Sequence, residues 1–311
     1  KLNHHPKVMT NSFQICLFED SLSVALTPYQ LTRPCYTLPS GLFNAVEKIQ
    51  YMFPNQTLSL LCQKQHEPFV KQRFSNISLN QLNRSLPILF VNGRCHFSNT
   101  QFQQLIDAIK SNKNYLFINQ GQVVAFYSDN DFNETAYKLM ASFPTFDRVV
   151  STVRKKSIVE ELPFIHVSTS WWDWLNRLAS NITHDFECYS KKSFVEGEMS
   201  SFTTLIDDRN MFVHREASVA DFVVLDASNG PIFISDNVTI EPFSTIKGPV
   251  YIGPNTLVKS HTEINTASIG EHCKVAGEIN RSIIQSYSNK AHYGYLGDSI
   301  VGEWVNLGAG T

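Results

Sequence analysis

No apolar run in the 311 residues approaches the ~18 that a membrane-spanning helix needs; the best are short stretches such as 86–91. The chain is therefore expected to have no membrane partner. An excess of one charge is also missing. Lys plus Arg number 26 against 28 Asp plus Glu, a formal net charge of −2, and no dense basic block occurs. That argues against a nucleic-acid partner. The six cysteines, Cys16, Cys35, Cys62, Cys95, Cys188 and Cys273, contain no C-x-x-C and no metal-ligand spacing. They read as scattered reduced thiols of an intracellular chain. Residues 1–10 carry no apolar stretch behind their basic residues, so no secretory signal is expected and the cytoplasm is the expected compartment. The N-x-S/T triplets at Asn55, Asn76, Asn181 and Asn237 carry no weight in that setting. What is present is 42% hydrophobic and 12% aromatic residues with only 17% charged, the composition of a globular chain. At roughly 100–200 residues per domain, the length predicts two domains.

Two hydrophobic periods divide the chain. Over the first part, short apolar runs at 15–18, 58–62, 88–91 and 123–127 read as buried strands. Between them, 42–53 places Leu42, Phe43, Val46, Ile49 and Phe53 on one helical face, and 101–110 does the same with Phe102, Leu105, Ile106 and Ile109. Strands alternating with amphipathic helices predict an α/β domain, residues 1–190, with a mostly parallel sheet. It ends in a long linker helix, 170–189, which buries Trp171, Trp174, Leu175, Leu178, Ile182 and Phe186. Packing and a ligand platform compete as readings of its tryptophans. Beyond residue 205 the period becomes six: Ile234, Ile240, Ile246, Ile252, Val258 and Ile264 recur without a slip. Val219 and Leu225 extend the series upstream, Ile269 and Val275 resume it after a shift, and Val301 and Leu307 resume it again. Six matches neither the 3.6 of a helix nor the alternation of a flat strand. It predicts a parallel β-helix of hexapeptides over 205–311.

The period is interrupted at 285–298, QSYSNKAHYGYLGD, and an interruption of this kind is expected to form a loop on one, functional, face. Within it stands His292, whose residue type accepts protons near neutral pH. Asn306 follows about one coil later and is of the type that stabilises an oxyanion. Lys259, Arg281 and Lys290 are candidate phosphate partners. An idle, solvated His292 is the competing reading.

The segment from residue 232 onward resembles the left-handed β-helix family of sugar-nucleotide enzymes. Its nearest likeness is a group of sugar nucleotidyltransferases related to the bifunctional N-acetylglucosamine-1-phosphate uridylyltransferase/glucosamine-1-phosphate acetyltransferase. The block AHYGYLGDSIVGEWVNLGAGT (291–311) resembles the acetyltransferase signature K-A-G-H-x-x-Y-L-G-D…V-N-I-G-A-G-T. The resemblance implies His292 as catalytic base, Asn306 as an active-site asparagine and Tyr295 as a substrate contact. It further implies acetyl-CoA as donor, an amino-sugar 1-phosphate as acceptor, Lys259, Arg281 and Lys290 near the phosphate, and a homotrimer. The signature is cut at Thr311, so further coils are expected beyond it.

The start of the chain, CLFEDSLSVALTPYQLTRPCYTLPSG (16–41), resembles the same group, which implies a Rossmann-like nucleotidyltransferase domain. Such a domain takes an NTP and a sugar 1-phosphate, using a Gly-rich turn for the phosphates and carboxylates for Mg²⁺. Between Asp20 and Pro34 there is no glycine, and in ILFVNGRCHFS (88–98) Asn92-Gly93-Arg94 stands where the family has Gly-Asp. Arg33 and Arg94 are then expected to grip phosphates, with Glu19 or Asp20, the latter taken as the metal ligand, supplying the remaining carboxylate. Three functions follow: an acetyltransferase acting through His292, a nucleotidyltransferase, and a non-catalytic nucleotide-sugar-binding or scaffold protein. A zinc site from His261, His272 and His292 fits poorly, because their spacing does not match that of a β-helix carbonic anhydrase.

Overall fold

A computed structural model describes residues 13–83, 85–109, 113–128, 151, 153–189 and 194–310. The readings of residues 1–10 and of the end of the helix expected at 101–110 fall outside them, as does Thr311. The contacts divide the chain into two units, Lys1–Leu38 with Ala45–Trp171, and Pro39–Asn44 with Trp172–Thr311.

In the first unit the elements run β1 (Gln14–Phe18), α1 (Ala45–Met52), β2 (Thr57–Leu60), α2 (Glu67–Arg73), β3 (Ser78–Leu79), β4 (Ile88–Asn92), β5 (Cys95–His96), α3 (Asn99–Ala108), β6 (Tyr115–Asn119), β7 (Gln122–Ser128), β8 (Ile158–Glu161) and β9 (His166–Val167). Seven strands form one sheet in the order 3-2-1-4-7-6-8. Strands β3, β2, β1 and β4 are parallel to one another, while β7 runs antiparallel to both β4 and β6. Strand β8 returns parallel to β6. The α/β layer with a mostly parallel sheet is therefore present, with a hairpin, β6–β7, set into it. Helix α3 starts where its sequence says it should. Ser98 Oγ accepts from the Gln101 N–H at 3.2 Å and the Gln101 side chain accepts from the Ser98 N–H at 2.7 Å, a reciprocal capping box. Helix α1 is shorter than its apolar pattern. It begins at Ala45, because the Leu42 and Phe43 N–H groups donate to the buried Asp185 carboxylate (2.9 and 3.3 Å) instead of opening a helical turn.

In the second unit α4 (Trp171–Cys188) buries Trp174, Leu175, Leu178, Ile182 and Phe186. The Trp174 indole N–H donates to the Pro39 carbonyl at 3.0 Å, which makes this tryptophan a packing residue. The chain then winds into three stacks of short parallel strands, the left-handed β-helix of hexapeptide repeats. Ile234, Ile240, Ile246, Ile252, Val258 and Ile264 are all fully buried in its core, as the six-residue period requires. Residues with left-handed backbone angles, among them Phe222, Phe243 and His261, turn the corners. Phe202, Phe222, Phe243 and His261 stack down one edge at 5.1–5.4 Å between ring centroids. His272, Tyr287 and Trp304 stack down a second at 5.3 and 4.6 Å. No helix of the described residues is long and apolar enough to cross a membrane.

One expectation is overturned. Residues 285–298 are not an interrupting loop. Asn289–Lys290 pairs with Lys274–Val275 below, and Tyr295–Gly297 pairs with 278–280. Lys290 lies six residues after Ile284 and six before Leu296, so the period continues through it with a lysine in the inward place.

Candidate functional site

Two places are candidate sites, one in each unit. In the α/β unit the carboxyl ends of β1 and β4 lie side by side, Phe18 opposite Asn92, at the point where the strand order reverses. Open α/β sheets bind their ligands at this point. Here it is filled by the protein's own side chains. The Arg94 guanidinium is fully buried and grips Asp20 with two hydrogen bonds, Nε to Oδ1 at 2.7 Å and Nη2 to Oδ2. It also donates to the Ser168 carbonyl and, at 3.1 Å, to Gln122 Oε1. Asn92 Nδ2 donates to the same Asp20 at 2.8 Å, and its Oδ1 accepts from the Arg94 N–H at 3.0 Å. Burial pulls the Arg94 pKa down, but the hydrogen bonds and charge of Asp20 more than offset it, so the net shift is upward. Next door, the buried Glu19 accepts from the Cys35 N–H at 2.8 Å and faces His66 Nδ1 at 3.3 Å.

Three expected residues are placed here. The Arg94 guanidinium is held by Asp20 and its neighbours. Both Asp20 oxygens accept from Arg94 and one also from Asn92. Arg33 is buried, with its guanidinium carbon 4.5 Å above the Phe69 ring. The glycine-free stretch after Asp20 folds into three short 3₁₀ turns, Ser21–Leu26, Tyr29–Leu31 and Cys35–Thr37. The residues present therefore do not fit Mg²⁺, because a divalent cation at Asp20 would have to displace a buried guanidinium of its own sign. Among the described residues no group of three or more His, Cys, Asp or Glu is placed to hold a metal ion. His261 and His272 lie in separate corner stacks, away from any common centre.

In the β-helix the relevant element is the corner 291–294. His292 is exposed on it, followed by the exposed Tyr293 and by Tyr295, which is 62% exposed with its ring lying over Gly297. Asn306 is exposed on the next coil, bridged to Asn289 in parallel register. Lys259, from two coils below, donates to the Ala291 carbonyl at 3.2 Å. His292, Tyr295 and Lys259 thus share a corner, and Asn306 sits above its leading strand. Two expected residues behave otherwise. Arg281 turns a different corner and pairs with Asp298, donating also to Asn176 at 3.4 Å. Lys290 points into the coil, and its ammonium donates to the carbonyls of Ala276, His292 and Gly294 at 2.9, 2.7 and 3.0 Å. These carbonyls engage all three of its donors.

Comparisons with known proteins match both parts of the chain. A family model described as sugar nucleotidyl transferase matches residues 15–193, and one described as bacterial transferase hexapeptide (six repeats) matches 231–266. The chain belongs to the sugar nucleotidyl transferase family, in a form that carries hexapeptide repeats. Among curated relatives it is 42% identical over 80 residues to the bifunctional protein GlmU of Rippkaea orientalis, covering 25% of this chain and 17% of that one. It is 30% identical over 124 residues to the protein of the same name from Baumannia cicadellinicola, covering 38% and 26%. The Desulfitobacterium hafniense counterpart is 30% identical over 149 residues, covering 36% and 30%. The chain thus spans under a third of the length of each of these relatives.

Proposed function

We propose that the chain is a sugar-phosphate transferase whose β-helix moves an acetyl group from acetyl-CoA to an amino-sugar 1-phosphate. The observation that carries this reading is the exposed His292 imidazole on a hydrogen-bonded corner, with exposed Tyr295 beside it and exposed Asn306 one coil on. A neutral imidazole takes a proton from the sugar's 2-amino group as its nitrogen attacks the thioester carbonyl. The new C–N bond forms, the C–S bond breaks, and CoA leaves as the thiol. Asn306 orients the acceptor or stabilises the oxyanion that forms on the acetyl carbonyl. Lys259, at the same corner, is the basic residue placed for the phosphate. Assembly as a homotrimer belongs to this proposal. Binding of a nucleotide sugar without transfer is the second reading, for the α/β unit, and the Arg94–Asp20 pair favours it over nucleotidyl transfer.

The test is CoA release with glucosamine 1-phosphate as acceptor. His292→Ala is expected to lower kcat by about 10²–10⁴-fold, the usual contribution of a general base. An unchanged rate in that variant, or no turnover by the unsubstituted chain, removes the proposal.

A further inference from the structure

The inward residues of one β-helix stack, read coil by coil, are Met199, Val219, Ile240, Val258, Val275 and Lys290. A lysine interrupts a row of thioether and aliphatic side chains that Leu307 continues on the next coil, and only 7% of its surface is exposed. A buried ammonium is tolerated only where acceptors replace its water. Lys290 has three N–H donors and meets three backbone carbonyls, of Ala276 on the coil below and of His292 and Gly294 on its own corner.

The corners explain why a cation sits here. Corners 241–244 and 259–262 each hold four residues and end in a buried hydroxyl, Ser244 or Thr262, whose Oγ donates to the Lys259 carbonyl. Corner 276–277 holds only two residues, and the four-residue corner 291–294 rides on it. Gly294 stands where the hydroxyl residue stood, so the corner lacks an inward donor of its own. The Lys290 ammonium supplies it. Gly277, with φ +78°, makes room: a Cβ there would lie 2.6 Å from the Gly294 carbonyl oxygen and 3.2 Å from Lys290 Nζ. The Gly294 carbonyl also accepts from the Glu278 N–H at 3.1 Å, tying the corner to the coil below.

We infer that Lys290 is the positioning residue of the His292 corner: its buried ammonium fixes the carbonyls on either side of Tyr293 and so sets the direction of the imidazole. It takes no part in the chemistry and touches no substrate. This deepens the proposed acetyl transfer and rests on it. Burial pulls the Lys290 pKa down, in keeping with a cation surrounded by protein.

The experiment compares Lys290→Met, similar in length but without donors, and Lys290→Gln, with fewer donors, against the unsubstituted chain. Circular dichroism and melting report the fold, and CoA release gives kcat and KM. The His292 ring signals are followed in ¹⁵N-histidine-labelled protein, assigned by their loss in His292→Ala. A folded Lys290→Met is expected to lose kcat by about 10²-fold, as small misplacements of a catalytic group do. Its KM should stay within about twofold, because the loss is in the transition state, and its His292 signals should split or broaden. Lys290→Gln should fall between. Unchanged kcat and unchanged His292 signals in a folded variant overturn the inference, and so does loss of the whole fold in both variants. If the unsubstituted chain shows no turnover, the proposed function fails by itself, and the His292 signals still decide whether Lys290 sets the corner.

Discussion

Arg94 and Asp20 show how one substitution changes the chemistry open to a site. Where the family resemblance leads one to expect a metal carboxylate, a fully buried arginine instead neutralises its neighbour with two hydrogen bonds. Removing one partner of such a pair leaves an uncompensated charge in the core. Arg94→Ala is therefore expected to cost about 3–5 kcal/mol of stability, measured by urea unfolding. Replacing both partners together, Arg94→Met with Asp20→Leu, should recover most of that loss. Because the guanidinium already serves as cation, millimolar Mg²⁺ should leave the melting temperature unchanged, whereas a bound ion would raise it. A Mg²⁺-dependent rise abolished by Asp20→Asn would refute this account of the site. Arg94 was conspicuous in the sequence as an arginine out of place, but its role was not. An arginine that grips a phosphate and one that grips a neighbouring carboxylate are the same letter, and only the fold brings Ser168 and Gln122 around it.

At the scale of the coil, stability rests on inward aliphatics that have no alternative place. Ile240 is fully buried while Thr239 beside it is exposed. Ile240→Ala should cost about 2–5 kcal/mol and Thr239→Ala no more than about 0.5 kcal/mol, both measured by denaturant unfolding. The six-residue spacing made nearly all of this visible in advance, since a repeat that buries one residue in six leaves a periodic signature. It concealed the coil at 285–298 for a physical reason. Aliphatic residues carry the period, and Lys290 fills an aliphatic place with an ammonium whose acceptors are backbone carbonyls, which side-chain identity does not reveal. Ile284 and Leu296, six residues to either side, were the available signal. Helix α1 is shorter than its apolar pattern for a similar reason: Leu42 and Phe43 fit its apolar face, but their N–H groups are held by Asp185, far along the chain.

Across the whole molecule, burial of thiols gives a pH dependence with a definite sign. Burial pushes the Cys62 thiol up to about 12 and the Cys273 thiol to about 11. It raises Cys16, Cys35 and Cys95 as well. Above pH 9.0, their ordinary value, the unfolded thiols lose protons that the folded chain retains. The unfolded state then binds fewer protons, so stability falls as pH rises from about 9 towards 11–12. Urea midpoints measured between pH 8 and pH 10.5 should decrease, and the buried thiols should resist iodoacetamide at pH 8 until the chain unfolds. The two units present different chemistry. The α/β unit fills its switch point with Arg94 and Asp20, while the β-helix carries an exposed histidine on the corner 291–294.

That contrast is tested most directly by one assay: CoA release from acetyl-CoA with glucosamine 1-phosphate, run with and without Mg²⁺, for the unsubstituted chain, His292→Ala and Arg94→Met/Asp20→Leu. Turnover that ignores Mg²⁺, collapses in His292→Ala and persists in the double variant is the predicted result. Turnover that survives His292→Ala, or is absent from the unsubstituted chain, would contradict it.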